Sequence, residues 1–285
     1  MRDFLLVTNS VKEEGIEYSK KLIEILERKG CRCTANLFTK EHHGGGYLFT
    51  DPGLVPAETD AVLVLGGDGT FIHAAKDLIS LDLPIMGINF GTLGYLTEVK
   101  ADEFEDALDI ILNNEHYIEK RMLLAGDIIR DREVIHSDIA LNDIVLNRSL
   151  STGVINYDVV VNADLLYSYS ADGIIISTPT GSTGYNLSAG GPVVQPTAEI
   201  ILATPIAAHT LNSRSIAFSA DVEINLIVKK RVTEREQRRV VSFDGEREII
   251  LEDGDIIRIR KADRVTKVIK VNKMSFVEQL GKKMR

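Results

Sequence analysis

Residues 65–71 read Leu-Gly-Gly-Asp-Gly-Thr-Phe, a glycine-rich turn with one acid at its centre, directly after the apolar run Ala61–Leu65. Gly66, Gly67 and Gly69 carry no Cβ to keep a phosphate away from backbone N–H groups. Asp68 among them is the candidate catalytic carboxylate. Thr70 is placed to cap a following helix whose positive end then points at the same spot. The chemistry suggested is phosphate binding with a carboxylate presented to the bound nucleotide. The order lacks the Lys-Ser/Thr ending of a P-loop and the G-x-G-x-x-G spacing of a dinucleotide fold, and a plain strand-to-helix connection accounts for an isolated Gly-Asp-Gly as well.

A second candidate spans 172–185, Asp-Gly-Ile-Ile-Ile-Ser-Thr-Pro-Thr-Gly-Ser-Thr-Gly-Tyr, an apolar strand ending in hydroxyls, glycines and Tyr185. Such residues offer small donors and acceptors and an aromatic edge to a polar heterocycle, and they are also ordinary loop formers. Asn142 and Asp143 interrupt an apolar stretch with an amide and a carboxylate suited to ribose hydroxyls or a base edge; a bulge or turn is the alternative. Asn89 and Gly91 follow another apolar strand and are placed to line the same cleft as Asp68, or to serve the turn structurally. Lys76 lies on the helix after the turn, either as a phosphate-binding cation or on a solvated helix face. His42 and His43 have no third ligand at metal-binding spacing, His73 falls one turn into the helix, and His209 stands beside Thr210, Asn212 and Arg214.

The elements that must hold these residues follow from periodicity. Residues 1 to about 115 alternate strand and helix: strands near 4–7, 31–38, 61–65 and 84–89, and helices over 11–29, 70–80 and around 104–112. Ile16, Leu22, Ile23 and Leu26 recur at near-helical spacing, Gly30 ends that helix, and Phe104, Ala107, Leu108, Ile111 and Leu112 form one helical face. Unbroken apolar strands such as 61–65 read as buried on both faces of a parallel sheet, which puts the glycine turn at its carboxyl edge. A glycine- and proline-containing loop spans 40–59. Beyond about 121 the period becomes two, as in 154–161, 222–228 and 256–259. The charged run 229–239 reads as a solvated hairpin tip, and 275–283 as a final helix returning to the first domain. The fold class expected is an α/β N-terminal domain, three-layered with a mostly parallel sheet, plus a mostly-β C-terminal domain. The boundaries expected are 1–118 for the first, with 266–285 packing back on it, and 119–265 for the second.

Length, charge and cysteines narrow the function classes. At 285 residues the chain has room for two cores, and 44% hydrophobic with 26% charged residues describes an ordinary globular protein. No apolar run reaches the roughly 20 residues of a membrane helix, and the first segment does not resemble a secretory signal, so a cytoplasmic protein without membrane partners is expected. A net charge of −9 disfavours nucleic acid as a partner. Cys31 and Cys33, the only cysteines, are too few for a structural zinc site and read as small buried hydrophobes.

Taken together, Gly66-Gly67-Asp68-Gly69-Thr70, residues 89–96 (Asn-Phe-Gly-Thr-Leu-Gly-Tyr-Leu), Leu141-Asn142-Asp143, Asp172-Gly173 with 177–185, and Ser242-Phe243-Asp244-Gly245 resemble the bacterial type of the NAD kinase family. The first motif is shared with diacylglycerol, sphingosine and phosphofructokinase-type enzymes; the 178–185 stretch is more specific. The resemblance implies an NAD kinase-like, diacylglycerol kinase-like fold and transfer of the ATP γ-phosphoryl group to the 2′-hydroxyl of the adenosine ribose of NAD, giving NADP. It implies Asp68 as the group that orients that hydroxyl and accepts its proton, with Gly66, Gly67 and Gly69 admitting phosphate. Asn142 and Asp143 become ribose-side ligands of NAD. Gly69, Asn89, Asp172, Thr183, Gly184, Tyr185 and Ser188 become further contacts to NAD, and Asp244 a polar residue lining the cleft. Mg²⁺ enters with ATP, with no metal ligand assigned to the protein, and a homodimer or homotetramer is expected. Asp143 stands where many relatives have glutamate, and Gly184 where many have alanine. A lipid kinase using the same turn and a non-catalytic nucleotide sensor are the competing readings.

Overall fold

The computed structural model describes residues 1–9, 13–38, 41–43, 46–48, 50–91, 94–149, 153–208, 214–230, 238–271 and 275–283. They form two compact units, Met1–Lys120 with Thr266–Arg285, and Arg121–Val265.

The first unit begins β1 (Asp3–Asn9), α1 (Glu13–Arg28) and β2 (Arg32–Phe38). Leu22 and Leu26 of α1 are buried, with Ile23 against the same core, and Gly30 at φ 72° ends the helix in the left-handed conformation that glycine tolerates. The expected loop after β2 contains an antiparallel ribbon, β3 (Glu41–His43) with β4 (Gly46–Leu48), and a 3₁₀ turn at Pro52–Leu54. Next come β5 (Ala61–Leu65), α2 (Asp68–Asp77), β6 (Ile85–Asn89), β7 (Val99–Lys100) and α3 (Phe104–Leu112). The strands run parallel in the order β2-β1-β5-β6-β7. Every residue of β5 and β6 is buried, as unbroken apolar strands require. Phe104, Ala107, Leu108 and Ile111 seal the expected face of α3. Cys31 is buried and Cys33 packs beside the same core. Burial raises both thiols above their ordinary range, Cys33 to about 11, so each is a poor nucleophile.

The second unit is strand-rich: β8 (Tyr117–Arg130), β9 (Glu133–Ala140), β10 (Asp143–Arg148), β11 (Ile155–Val161), β12 (Asp164–Ala171) and β13 (Gly173–Ser177), then the single-turn helix α4 (Tyr185–Ser188). It continues with β14 (Ile200–Ile206), β15 (Ile216–Ser219), β16 (Ile224–Val228), β17 (Arg239–Phe243), β18 (Ile249–Leu251) and β19 (Ile256–Lys270). One antiparallel sheet has the order β15-β14-β13-β10-β17-β18; a second set runs β12-β11-β16-β19. Ile144, Leu146 and Ile176 of the first sheet share one core with Tyr157, Val159, Leu226 and Ile257 of the second set. The Tyr157 hydroxyl donates to the Gly173 carbonyl at 2.8 Å, so the one polar atom of that ring is satisfied inside the core.

The first unit is completed by the end of β19, where Val268 pairs in parallel with Ile85, and by α5 (Phe276–Lys283). His209, Thr92, Leu93, residues 231–237 of the expected charged hairpin tip, and the side chains of His42 and His43 lie outside the described residues.

Candidate active site

In the first unit β5 delivers the chain to the glycine turn, and the Gly66 N–H donates to the Ile88 carbonyl at 2.8 Å, fixing the turn at the carboxyl edge of β5 and β6. Here one expectation is corrected. The helix starts at Asp68 with Gly67 as N-cap, extended at φ −93° and ψ −176°, and Thr70 is buried in the first turn instead of capping it. Asp68 is therefore itself the first helical residue, an anion at the positive end of α2.

Its carboxylate is held closely. Oδ2 accepts from the Tyr95 N–H at 2.7 Å, while Oδ1 accepts from the N–H groups of Leu96 and Thr97, both at 3.1 Å, and from the Thr97 hydroxyl at 3.0 Å. Three donors converge on one oxygen and a single donor reaches the other, so Oδ2 keeps the accessible lone pair. A Cβ at Gly94 would overlap the carboxylate, which is why the chain approaches Asp68 through a glycine. Asn89, expected to contact the ligand, is buried and serves this loop: its amide donates to Thr97 Oγ1 at 3.0 Å and accepts from the Gly91 N–H at 2.6 Å. It positions Asp68 through Thr97. Gly67 and Gly69 are exposed, with open space where a side chain would stand, so phosphate can approach their backbone. Lys76 is buried two turns along α2, roughly 12 Å from Asp68 by helical rise, a placement that takes it away from the turn.

The second unit holds a pocket of about 350 Å³. Asn142, Asp143, Tyr185, Asp244, Glu246 and Glu248 line it, with the polar side chains of Asn147 and Ser242 beside them. The turn after β17 builds one wall: Asp244 at φ 52° and Gly245 at φ 69° are both left-handed, and the Glu246 N–H closes the turn on the Phe243 carbonyl. That backbone aims the Asp244 carboxylate at three successive N–H groups, Leu141 at 2.8 Å, Asn142 at 2.7 Å and Asp143 at 3.1 Å. Asp244 lines the pocket as expected, yet its main contribution is to brace the Asn142-Asp143 wall. Burial, and secondarily the Asp244 charge, push the Asp143 carboxyl up to about 7. Its protonated form, which can donate as well as accept, is thereby favoured toward neutrality.

The hydroxyls of 177–183, open from composition to a ligand wall or to ordinary loop structure, are mostly scaffold. Ser177, Thr178, Thr180 and Ser182 are buried. The Thr178 hydroxyl donates to the Leu141 carbonyl at 2.6 Å, and Ser182 Oγ donates to the Pro179 carbonyl while accepting from the Val194 N–H. A Cβ at Gly181 would overlap the Asn142 carbonyl, so this loop and the Asn142 wall lie in direct contact. What reaches the pocket is Tyr185, 43% exposed, with Gly184 beside the Asn142 amide. Buried Asn186, which no sequence motif singled out, locks α4 by donating to the Ser182 and Pro192 carbonyls and accepting from Thr204. Thr183 is partly buried, its hydroxyl donating to the Thr180 carbonyl, and Ser188 is exposed; neither lines the pocket. Asp172 pairs with Arg148 at 2.8 Å at the opposite end of β13 from Ser177, roughly 16 Å away by strand rise, so it is not part of this wall.

Glu246 and Glu248 were missed, although their alternation after an Asp-Gly turn was a readable sign of two acids sharing a face. With Asp143 and Asp244 they make the lining acidic, and among the described residues no lysine or arginine joins them there. Such a pocket suits hydroxyls, amides and electron-poor rings and repels phosphate. Among the described residues no group of three or more His, Cys, Asp or Glu is arranged to hold a metal ion.

Comparison with known proteins covers both units. Residues 4–117 match the model of the ATP-NAD kinase N-terminal domain, and residues 141–271 that of the ATP-NAD kinase C-terminal domain. A protein of Lachnospira eligens named NAD kinase is 42% identical over 293 residues, covering 100% of both chains. Another from Agathobacter rectalis, also named NAD kinase, is 39% identical and covers 100% of this chain and 99% of its own. Among solved structures, an NAD kinase from Archaeoglobus fulgidus in complex with ATP superposes with a TM-score of 0.75 at 26% identity, covering 99% of this chain and 98% of that one. Yeast NADH kinase complexed with NADH gives a TM-score of 0.85 at 22% identity, covering 100% and 87%, a likeness of fold.

Proposed function

This chain belongs to the NAD kinase family, and from that premise we propose how its own residues divide the work of phosphorylating NAD with ATP. The observation that carries the reading is the clamp on Asp68: a carboxylate fixed at the start of α2 by four donors, with one lone pair of Oδ2 uncommitted beside exposed glycine backbone. In the reaction the 2′-oxygen of the adenosine ribose of NAD attacks the γ-phosphorus of ATP. The bond from that phosphorus to the β,γ-bridging oxygen breaks, ADP leaves, and the hydroxyl proton passes to Asp68 and then to solvent. In a loose phosphoryl-transfer transition state that proton leaves late, so the aim of the carboxylate matters more than strong basicity. The N–H groups of Gly67 and Gly69 receive phosphate oxygens.

ATP arrives as its Mg²⁺ complex, the ion held by phosphate oxygens and water. The pocket of the second unit takes the phosphate-free parts of NAD: Asn142 and Asp143 face ribose hydroxyls and Tyr185 presents its ring to a base. The protein works in the cytoplasm as a homodimer or homotetramer. Supporting assembly, Leu165, Leu166 and Tyr167 are exposed on β12, an edge strand, and Val134 and Ile135 on β9. No helix among the described residues is long and apolar enough to cross a membrane.

The deciding experiment is a coupled assay of NADP formation from NAD and MgATP, run on wild type and Asp68→Asn. Wild type forms NADP; Asp68→Asn keeps NAD affinity within a few-fold and loses roughly 10²–10⁴ in turnover, the usual share of a general base. Phosphorylation of diacylglycerol without NADP formation would install the lipid-kinase reading. NAD binding without turnover would install the sensor.

A further inference from the structure

The turn that presents Asp68 has an electrostatic problem. A triphosphate docking on the Gly67 and Gly69 N–H groups brings negative charge up to a carboxylate, and Lys76, the cation expected to relieve this, is buried two turns away. Lys283, in the last turn of α5, is placed differently. Its Nζ lies 3.8 Å from the centroid of the Tyr95 ring, and the N–H of that same Tyr95 is the donor to Asp68 Oδ2 at 2.7 Å. Burial moves the Lys283 ammonium below its ordinary range, and the charges of Asp68 and Glu98 oppose that in part. Glu98 is itself ion-paired with buried Lys270. What holds the Lys283 ammonium in place is an aromatic face, a weak contact compared with a charge-assisted bond to phosphate.

A plain structural role, a cation favouring the carbonyl end of α5, accounts for a lysine in the last turn but not for its position over the ring that borders Asp68. We propose that Lys283 is a phosphate-binding residue of the Asp68 turn: its ammonium rests on Tyr95 in the free protein and moves on its flexible four-carbon stem to the β- or γ-phosphate of the phosphoryl donor. α5 thus delivers to the turn the positive charge that the glycine motif lacks, the role for which lysine's compact, mobile charge is suited. The inference rests on the kinase reading above and adds a donor-side residue to it.

Two measurements test it. In steady-state kinetics Lys283→Gln raises KM for MgATP about tenfold, the loss of one charged phosphate contact, while KM for NAD stays within twofold and Lys283→Arg restores most of the loss. In titration calorimetry with inorganic tripolyphosphate and no NAD, Lys283→Gln binds about tenfold more weakly than wild type at equal salt. An unchanged MgATP KM, a parallel rise of both KM values, or equal tripolyphosphate affinities in wild type and Lys283→Gln overturns the assignment. Absence of NADP formation by wild type would overturn the kinase reading instead, and the calorimetry would still decide whether Lys283 binds phosphate.

Discussion

Asp68 is surrounded by donors from residues 95–97, and the space for it exists only because residue 94 has no side chain. Gly94→Ala is therefore expected to act as an active-site mutation at a distance. The added methyl displaces the carboxylate, NADP formation falls by an amount comparable to Asp68→Asn, and the far-ultraviolet circular dichroism stays that of wild type; retained activity would show that the carboxylate relocates harmlessly. Asp143 makes a second residue-scale prediction. Burial first, and the Asp244 charge second, raise it from 3.8 to about 7, so the folded state holds this proton more tightly than the unfolded state does. Its contribution to stability is full below the unfolded value and is lost as pH rises through about 7. Denaturant midpoints measured across this window should decline for wild type and be flatter for Asp143→Asn, and identical slopes would remove Asp143 as the cause. Asp68 was legible in the sequence because a lone acid among glycines, directly after a strand buried on both faces, sits where α/β sheets bind ligands. Its Thr97 and Gly94 supports were not, since nothing local says which residues a loop brings back to a turn.

Between elements, the pocket of the second unit depends on one bracket. The turn after β17 sends Asp244 onto the N–H groups that begin β10, and the loop after β13 packs its buried hydroxyls and Gly181 on the same segment. Asp244→Ala leaves three N–H groups without their acceptor. It is expected to cost on the order of 1–3 kcal/mol in unfolding free energy and to weaken NAD binding measured by calorimetry. If stability falls while NAD affinity holds, the bracket does not shape the ligand wall. Asn142, Asp143 and Tyr185, grouped from the sequence, line one pocket, with Gly184 beside the Asn142 amide. The sequence could not separate the two uses of the serines and threonines, because a hydroxyl that binds a ligand and one that ties down a loop are the same residue type. Asp172, grouped with them by the resemblance, lies at the far end of β13, since an extended strand carries its two ends far apart.

For the molecule as a whole, two compact units each present a site whose charge suits a different part of the reaction: exposed glycine backbone in one, an acidic, phosphate-excluding pocket in the other. Sedimentation of the purified protein should report a dimer or tetramer, and charge placed on the apolar edge by Leu165→Glu with Tyr167→Glu should shift it toward monomer; a wild-type monomer would leave that edge without the proposed role. Family membership, the alternation of strand and helix followed by strands alone, and the acid of the glycine turn were determined by the sequence itself. Those features rest on side-chain periodicity and on motifs a few residues long, which are local properties of the chain. Only the tertiary structure decided that Asn89 holds the loop around Asp68, that Glu246 and Glu248 join the pocket, that Lys76 is buried, and that Lys283 comes to rest beside Tyr95. Each of those depends on contacts between residues distant in sequence, where the direction of a side chain is set by what the rest of the fold packs against it.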